Sequence, residues 1–201
     1  YRRGIRGVEK EDILHVEGRL GELIVGNRIP KDYFVTKGTG QSDLTVHAGS
    51  YHLALKAAGV EMCNIMTYSS ILPSIATEIP KPERLVHGSV MESIFSVCTV
   101  GKGERATAGI IYGLLFDKKT QQKYGGLVCE LYGDHSVPEI ERRLHASLEE
   151  LYFNGYSDDF KLEQRRVITE SFVPDKKHGT ALAALCFVNY HYPILRVNLN
   201  A

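Results

Sequence analysis

The sequence predicts an α+β fold: a layered αββα sandwich of antiparallel or mixed sheets flanked by helices. Roughly six or seven strand-like runs, two stretches with helical periodicity and no regular strand–helix alternation point to it. Of the 201 residues, 43% are apolar and 24% charged, which suits an ordinary globular domain able to bury a core. No repeat, low-complexity tract or linker interrupts the later part of the chain. Residues 31–201 therefore read as one domain. Residues 1–30, charged and punctuated by glycine, read as an extension laid on its surface.

The elements follow in order. Tyr33-Phe34-Val35-Thr36-Lys37 reads as a short strand ended by Gly38-Thr39-Gly40. A helix is expected over 46–58, capped by Ser42 or Asp43, with Tyr51, Ala54, Leu55 and Ala58 on one face and Gly59 as its stop. A strand over 60–68 follows. Strands are then expected over 89–100, 106–116 and 124–132, the second so continuously apolar that both its faces should be covered. Val137, Ile140, Leu144, Leu148, Leu151 and Tyr152 recur at helical spacing, with Ser136 as cap and Gly155 as stop. Strands over 165–173 and 180–190 close the fold.

Several function classes find little support. Lys+Arg and Asp+Glu are equal at 24 each, so no basic field exists to hold nucleic acid. Cys63, Cys98, Cys129 and Cys186 are scattered in apolar runs without a C-x-x-C pair, which suits buried reduced thiols and a cytoplasmic address. No apolar run approaches membrane-spanning length. His47 and His52, five apart, fall on different faces of an α-helix, so no metal pair is expected. Gly38-Thr39-Gly40 lacks the third glycine of a dinucleotide fingerprint, since position 43 is Asp, and reads as a tight turn.

The most informative stretch is Asn64-Ile65-Met66-Thr67-Tyr68-Ser69-Ser70-Ile71-Leu72-Pro73. A β-type run delivers two adjacent serines to a Pro-punctuated bend. Most such serines are ordinary turn residues. These stand where a strand ends, with Asn64 upstream and Tyr124-Gly125-Gly126-Leu127-Val128-Cys129-Glu130 downstream, an arrangement suited to a chain that cuts its own backbone. Asn64 reads equally as an amide satisfying nearby backbone at a strand start. Glu130, between Cys129 and Leu131, is a costly residue to bury without a purpose.

These segments, with 34–73 and His178-Gly179-Thr180-Ala181-Leu182-Ala183-Ala184, resemble the pyruvoyl-dependent arginine decarboxylase family over 33–190. The resemblance rests on Asn, five residues, Ser-Ser-Ile-x-Pro, and a later Gly-Leu-x-x-Glu in combination. It implies that the Ser70 hydroxyl attacks the Ser69 carbonyl to make an ester. β-Elimination then cuts the chain, leaving Ser69 as a new C-terminus, and residue 70 loses ammonia to become a covalent pyruvoyl group. Such a ketone binds the α-amine of an amino-acid substrate and accepts electrons as CO2 leaves. The resemblance further implies that Asn64 donates to the Ser69 carbonyl during cleavage. Glu130 would be the acid that protonates carbon after decarboxylation, its pKa raised in a buried site. It also implies a sandwich of sheets flanked by helices and a homotrimer of cleaved protomers, or a multiple of it, with sites between subunits.

One position departs from the family pattern. Alignment on Asn64 and Ser70 puts His52 where the family has an Asp facing the guanidinium, and imidazole is a poor substitute for a bidentate carboxylate. Asp43, just upstream, is a candidate replacement. His52 reads either as a selector of another side chain or as an exposed histidine with no role. The leading expectation is a self-processing decarboxylase that converts arginine to agmatine and CO2. The alternatives are the same chemistry on another amino acid, or a trimeric module without turnover.

Overall fold

The computed structural model describes residues 22–198. The chain divides into two compact units, one of 1–29 with 192–201 and the other Pro30–His191. The extension expected over 1–30 falls mostly outside the described residues. In the smaller unit, β1 (Glu22–Val25) pairs antiparallel with β13 (Ile194–Asn198).

Strand outweighs helix among the described residues, and there are two α-helices among them. After β2 (Ile29–Pro30) come β3 (Asp32–Ser42), a π-helical turn over Val46–Tyr51 and α1 (His52–Ala58). Next are β4 (Asn64–Thr67), β5 (Ile71–Pro73), β6 (Thr77–Glu78), β7 (Val90–Gly101), β8 (Ala106–Asp117) and β9 (Lys123–Gly133). The order ends with α2 (Val137–Gly155), β10 (Phe160–Phe172), β11 (His178–Phe187), β12 (Tyr190–His191) and β13.

The larger unit carries a mixed five-stranded sheet in the order β4-β7-β11-β3-β6 and a four-stranded sheet in the order β10-β8-β9-β5. In the first, β4 runs parallel to β7 and β6 parallel to β3, while β11 is antiparallel to both its neighbours. In the second every pairing is antiparallel. One cluster joins Tyr33, Ile94 and Leu185 of the mixed sheet to Leu72, Ile110, Val128 and Ile168 of the other. A second packs Ala54, Leu55 and Ala58 of α1 against Phe34, Leu182 and Cys186. A third sets Ile140, Leu144 and Leu148 of α2 against Ile111, Leu127 and Cys129. Strand β11 therefore feeds alternate residues to two clusters and is buried from Gly179 to Phe187, which explains its unbroken apolar run.

The stripe on α2 is placed as its spacing predicts, with Ile140, Leu144 and Leu148 wholly buried. Truncating one of these to Ala would cost about 2–5 kcal/mol. Ser136 occupies the N-cap position, though its side chain makes no capping bond, and the helix runs through Gly155 to a C-cap at Tyr156.

Three local expectations need correction. Gly38-Thr39-Gly40 is no turn: β3 runs straight through it to Ser42. A Cβ on Gly38 would fall within 2.7 Å of Ala58 N and closer still to Ala54 O, so these glycines let α1 lie directly on the strand. The expected strand over 60–68 is shorter, because Val60 and Cys63 belong to the turn after α1 and only Asn64–Thr67 pairs. The last correction concerns 46–51, where Ser50 N–H donates to Thr45 O (3.2 Å) across five residues, a π rather than an α pattern. Neither Ser42 nor Asp43 caps it; the N-cap residue is Thr45.

Candidate active site

Strand β4 carries Asn64 at its start and hands the chain to the serine pair. Tyr68 N–H donates to Ser93 O (2.8 Å), which fastens the end of that run to β7. Ser69 is exposed and Ser70, half-buried, sits in a bend. Ile71 N–H donates to Ser69 O (3.1 Å), closing a three-residue turn with Ser70 at its centre. Val128 N–H donates to Ser70 O (2.8 Å). The chain then enters β5, which pairs with β9 through Ile71↔Leu127, Leu72↔Gly126 and Pro73↔Gly125. The bond between Ser69 and Ser70 is thus held where the chain passes from one sheet to the other.

Glu130 lies two residues beyond Val128 on β9, on the same face, since side chains on a strand alternate. That makes it a diagonal neighbour of Ser70, at roughly 7–8 Å between Cα atoms. It is exposed on the single chain rather than buried as expected, because β9 is covered only from Gly125 to Cys129. Desolvation still holds its carboxyl above the ordinary 4.5.

Asn64 is exposed, and its Nδ2 donates to Gly88 O (2.9 Å). Strand β4 carries the chain about 10 Å from Asn64 to Thr67 before the serines begin. The Asn64 amide does not span that stretch, so a single chain does not bring it to Ser69 O.

His52 opens α1 and lines a cleft of about 580 Å³ together with His47, Tyr51, Leu55, Glu61 and Asn64. The five-residue spacing that separates His47 from His52 on an α-helix puts both on this cleft, because a π turn repeats at nearly that interval. His47 and Tyr51 also stand ring to ring at 6.0 Å. Asp43 does not line the cleft; its Oδ1 accepts from Lys177 N–H (3.1 Å). The structure therefore groups His52 with Asn64, groups Ser69 and Ser70 with Glu130, and leaves Asp43 apart from both. Glu61 and Tyr51 had no motif to flag them.

The family model for pyruvoyl-dependent arginine decarboxylase matches residues 32–192. The chain belongs to that family. It is 31% identical over 160 residues to a pyruvoyl-dependent arginine decarboxylase of Methanopyrus kandleri, covering 79% of this chain and 97% of that protein. Similar enzymes of Methanocella arvoryzae and Methanococcoides burtonii are 30% identical over 129 residues and 38% over 89. The first match covers 63% of this chain and 74% of the relative, the second 41% and 47%.

Membership in the pyruvoyl-dependent arginine decarboxylase family makes the chain a decarboxylase that works through a covalently bound pyruvoyl group. Another substrate class, or a module without turnover, is not favoured by these matches. The four cysteines are free and buried, and burial pushes the Cys129 thiol up to about 11 and that of Cys186 to about 12. Such thiols pack rather than react. No helix among the described residues is long and apolar enough to cross a membrane.

Proposed function

We propose that the chain is a self-processing pyruvoyl-dependent arginine decarboxylase that converts arginine to agmatine and CO2. The observation that carries this reading is the three-residue turn around Ser70, joined through Val128 to the strand that bears Glu130. A site for the group must present a serine hydroxyl beside a reachable preceding carbonyl, and the exposed Ser69 and the half-buried bend at Ser70 fit that requirement.

Each residue then has a task. Ser70 Oγ attacks the Ser69 carbonyl carbon, and the Ile71 N–H already directed at Ser69 O meets the negative charge that develops there. The pyruvoyl group left at residue 70 supplies an electrophilic ketone that binds the substrate's α-amine and takes up electrons as CO2 departs. Glu130 delivers a proton to the carbon that has lost CO2, a task for which a raised carboxyl pKa is suited.

The cleft at His52 and Asn64 is separate from Ser70 and Glu130 on one chain. A homotrimer, or a multiple of it, with sites between subunits unites them: the cleft of one protomer receives the substrate side chain, and its neighbour supplies the reacting group. Asn64 assists cleavage from that neighbouring position. The larger unit, Pro30–His191, forms a layered αββα sandwich, supported by the three side-chain clusters. Four unpaired buried thiols suit a cytoplasmic protein acting on a small-molecule amino acid, without nucleic-acid or membrane partners.

Purified protein should run as two fragments on denaturing electrophoresis, one ending at Ser69 and one with a blocked N-terminus, and should release agmatine and CO2 from arginine. Ser70→Ala should stay whole and inactive, having no hydroxyl to form the ester. A wild-type chain that remains intact by mass, or a Ser70→Ala chain that still splits, refutes the reading.

A further inference from the structure

We infer that Glu61 is the carboxylate that reads the guanidinium of the substrate, a role resting on the arginine decarboxylase reading above. The residue sits on the turn between α1 and β4, and that turn is firmly built. Gly59 closes α1 in the left-handed conformation (φ 71), which a glycine adopts without a Cβ penalty. Val60 N–H donates back to Leu55 O (3.0 Å), and Cys63 N–H to Val60 O (3.1 Å). Val60 and Cys63 are both buried, so Glu61 is held by anchored neighbours on either side.

Among the described residues that line the 580 Å³ cleft, Glu61 is the one with a carboxylate. It is half-buried, and among the described residues no Lys, Arg or His stands within ion-pair distance of it. Ala48, Leu55, Cys63 and Ile65 give the same cleft apolar wall. A carboxylate with no cation partner beside such a wall leaves its oxygens open to a cationic ligand. The planar fork of a guanidinium matches a carboxylate through two parallel N–H···O bonds. The Tyr51 ring adds a π face to the same wall.

His52 occupies the place where the family pattern has an acid, yet the cleft still contains one, nine residues further along the chain. Asp43 lies outside the cleft and already accepts from Lys177 N–H. The negative charge has moved from the start of α1 to the turn beyond its end.

Glu61→Gln keeps the shape and removes the charge. Cleavage at the serine pair should still occur, since the role given to Glu61 is to hold the substrate side chain and not to act on the scissile carbonyl. The KM for arginine should rise about 10–100-fold, the loss of a charge-assisted pair, with kcat changed only a few-fold. Agmatine binding to the processed enzyme, followed by calorimetry, should weaken by a similar factor. Preference for arginine over citrulline, its neutral isostere, should shrink in parallel, and Glu61→Asp should recover part of each loss. Unchanged KM, agmatine affinity and discrimination in Glu61→Gln overturn the inference, as does a comparable KM rise confined to Asp43→Asn. If the wild-type enzyme releases no agmatine from arginine, the function reading fails, while the calorimetric comparison still decides Glu61.

Discussion

Val128 N–H donates to Ser70 O at 2.8 Å, and Glu130 stands two residues further along the same strand. This single backbone bond sets the spacing between the serine that is expected to become the ketone and the carboxyl expected to protonate its product. Glu130 lies on β9 and Ser70 in the bend that leads into β5, the strand paired with β9, so a bond to that sheet rather than a free loop holds the serine. A site built on strands holds its groups more closely than one built on loops.

Glu130→Gln should separate maturation from turnover. The chain should still split, whereas decarboxylation should fall about 10²–10⁴-fold, the range for a lost general acid. Desolvation raises the carboxyl above 4.5, so wild-type activity that needs the acid form should decline as pH climbs through that raised value. The variant should lack that limb. Linkage has the same sign: the native state binds this proton more tightly than the unfolded chain, so stability from this group is lost as pH rises from about 4.5 through the raised value. Unfolding of Glu130→Gln at neutral pH should therefore be no easier than that of wild type. Full activity in the variant would make Glu130 a structural residue.

A polar tie between the two sheets should be measurable. Tyr112 of β8 donates to Glu78 Oε2 of β6, and Arg166 of β10 donates to Glu78 Oε1. Burial, and after it the Glu78 carboxylate, pushes the Tyr112 hydroxyl well above its usual range, which keeps it a donor at any working pH. Glu78→Ala leaves that nearly buried hydroxyl without its charged acceptor and should cost about 1.5–3 kcal/mol. Arg166→Ala removes a half-exposed partner and should cost about 0–1 kcal/mol. Urea unfolding at one fixed protein concentration ranks the two; an equal or reversed order would place the stabilisation in the ion pair instead of the phenol.

Much of the fold was readable because burial leaves a pattern. Strand β8 is apolar on both faces since one side meets Leu185 and its neighbours while the other meets α2. The stripe of Ile140, Leu144 and Leu148 needed only helical period to be seen. Strand β10 begins at Phe160, earlier than its apolar pattern suggests, because its first residues form an edge with exposed charges and a bulge where Gln164 takes a positive φ of 51°. The π turn over Val46–Tyr51 has no hydrophobic signature, so the shared exposure of His47 and His52 to one cleft was hidden by an α-helical reading of their spacing. Glu61 was invisible for a similar reason: it belongs to no motif, and only the fold of the turn around Gly59 brings it to the cleft.

Asn64 provides the test of a shared site. Its amide donates to Gly88 O and lies a strand's length from Ser69, so within one chain it plays only the local role. In the trimer proposed above, it reaches the scissile carbonyl of a neighbour. Asn64→Ala alone should then cleave about 10²–10³-fold more slowly, the usual effect of losing one donor to a developing oxyanion. Ser70→Ala alone should not cleave at all. When the two variants are co-expressed with distinguishable tags and purified as mixed trimers, the Asn64→Ala chain should regain cleavage, because an adjoining Ser70→Ala subunit still offers its own Asn64. The readout is the fragment pattern of the Asn64→Ala chain alone. Rescue in mixed trimers, absent when the separately purified variants are combined without exchange, supports a site built between subunits. If the Asn64→Ala chain cleaves at the same slow rate in both settings, Asn64 acts within its own chain, or acts only as a prop for Gly88, and the subunit-spanning arrangement loses its support.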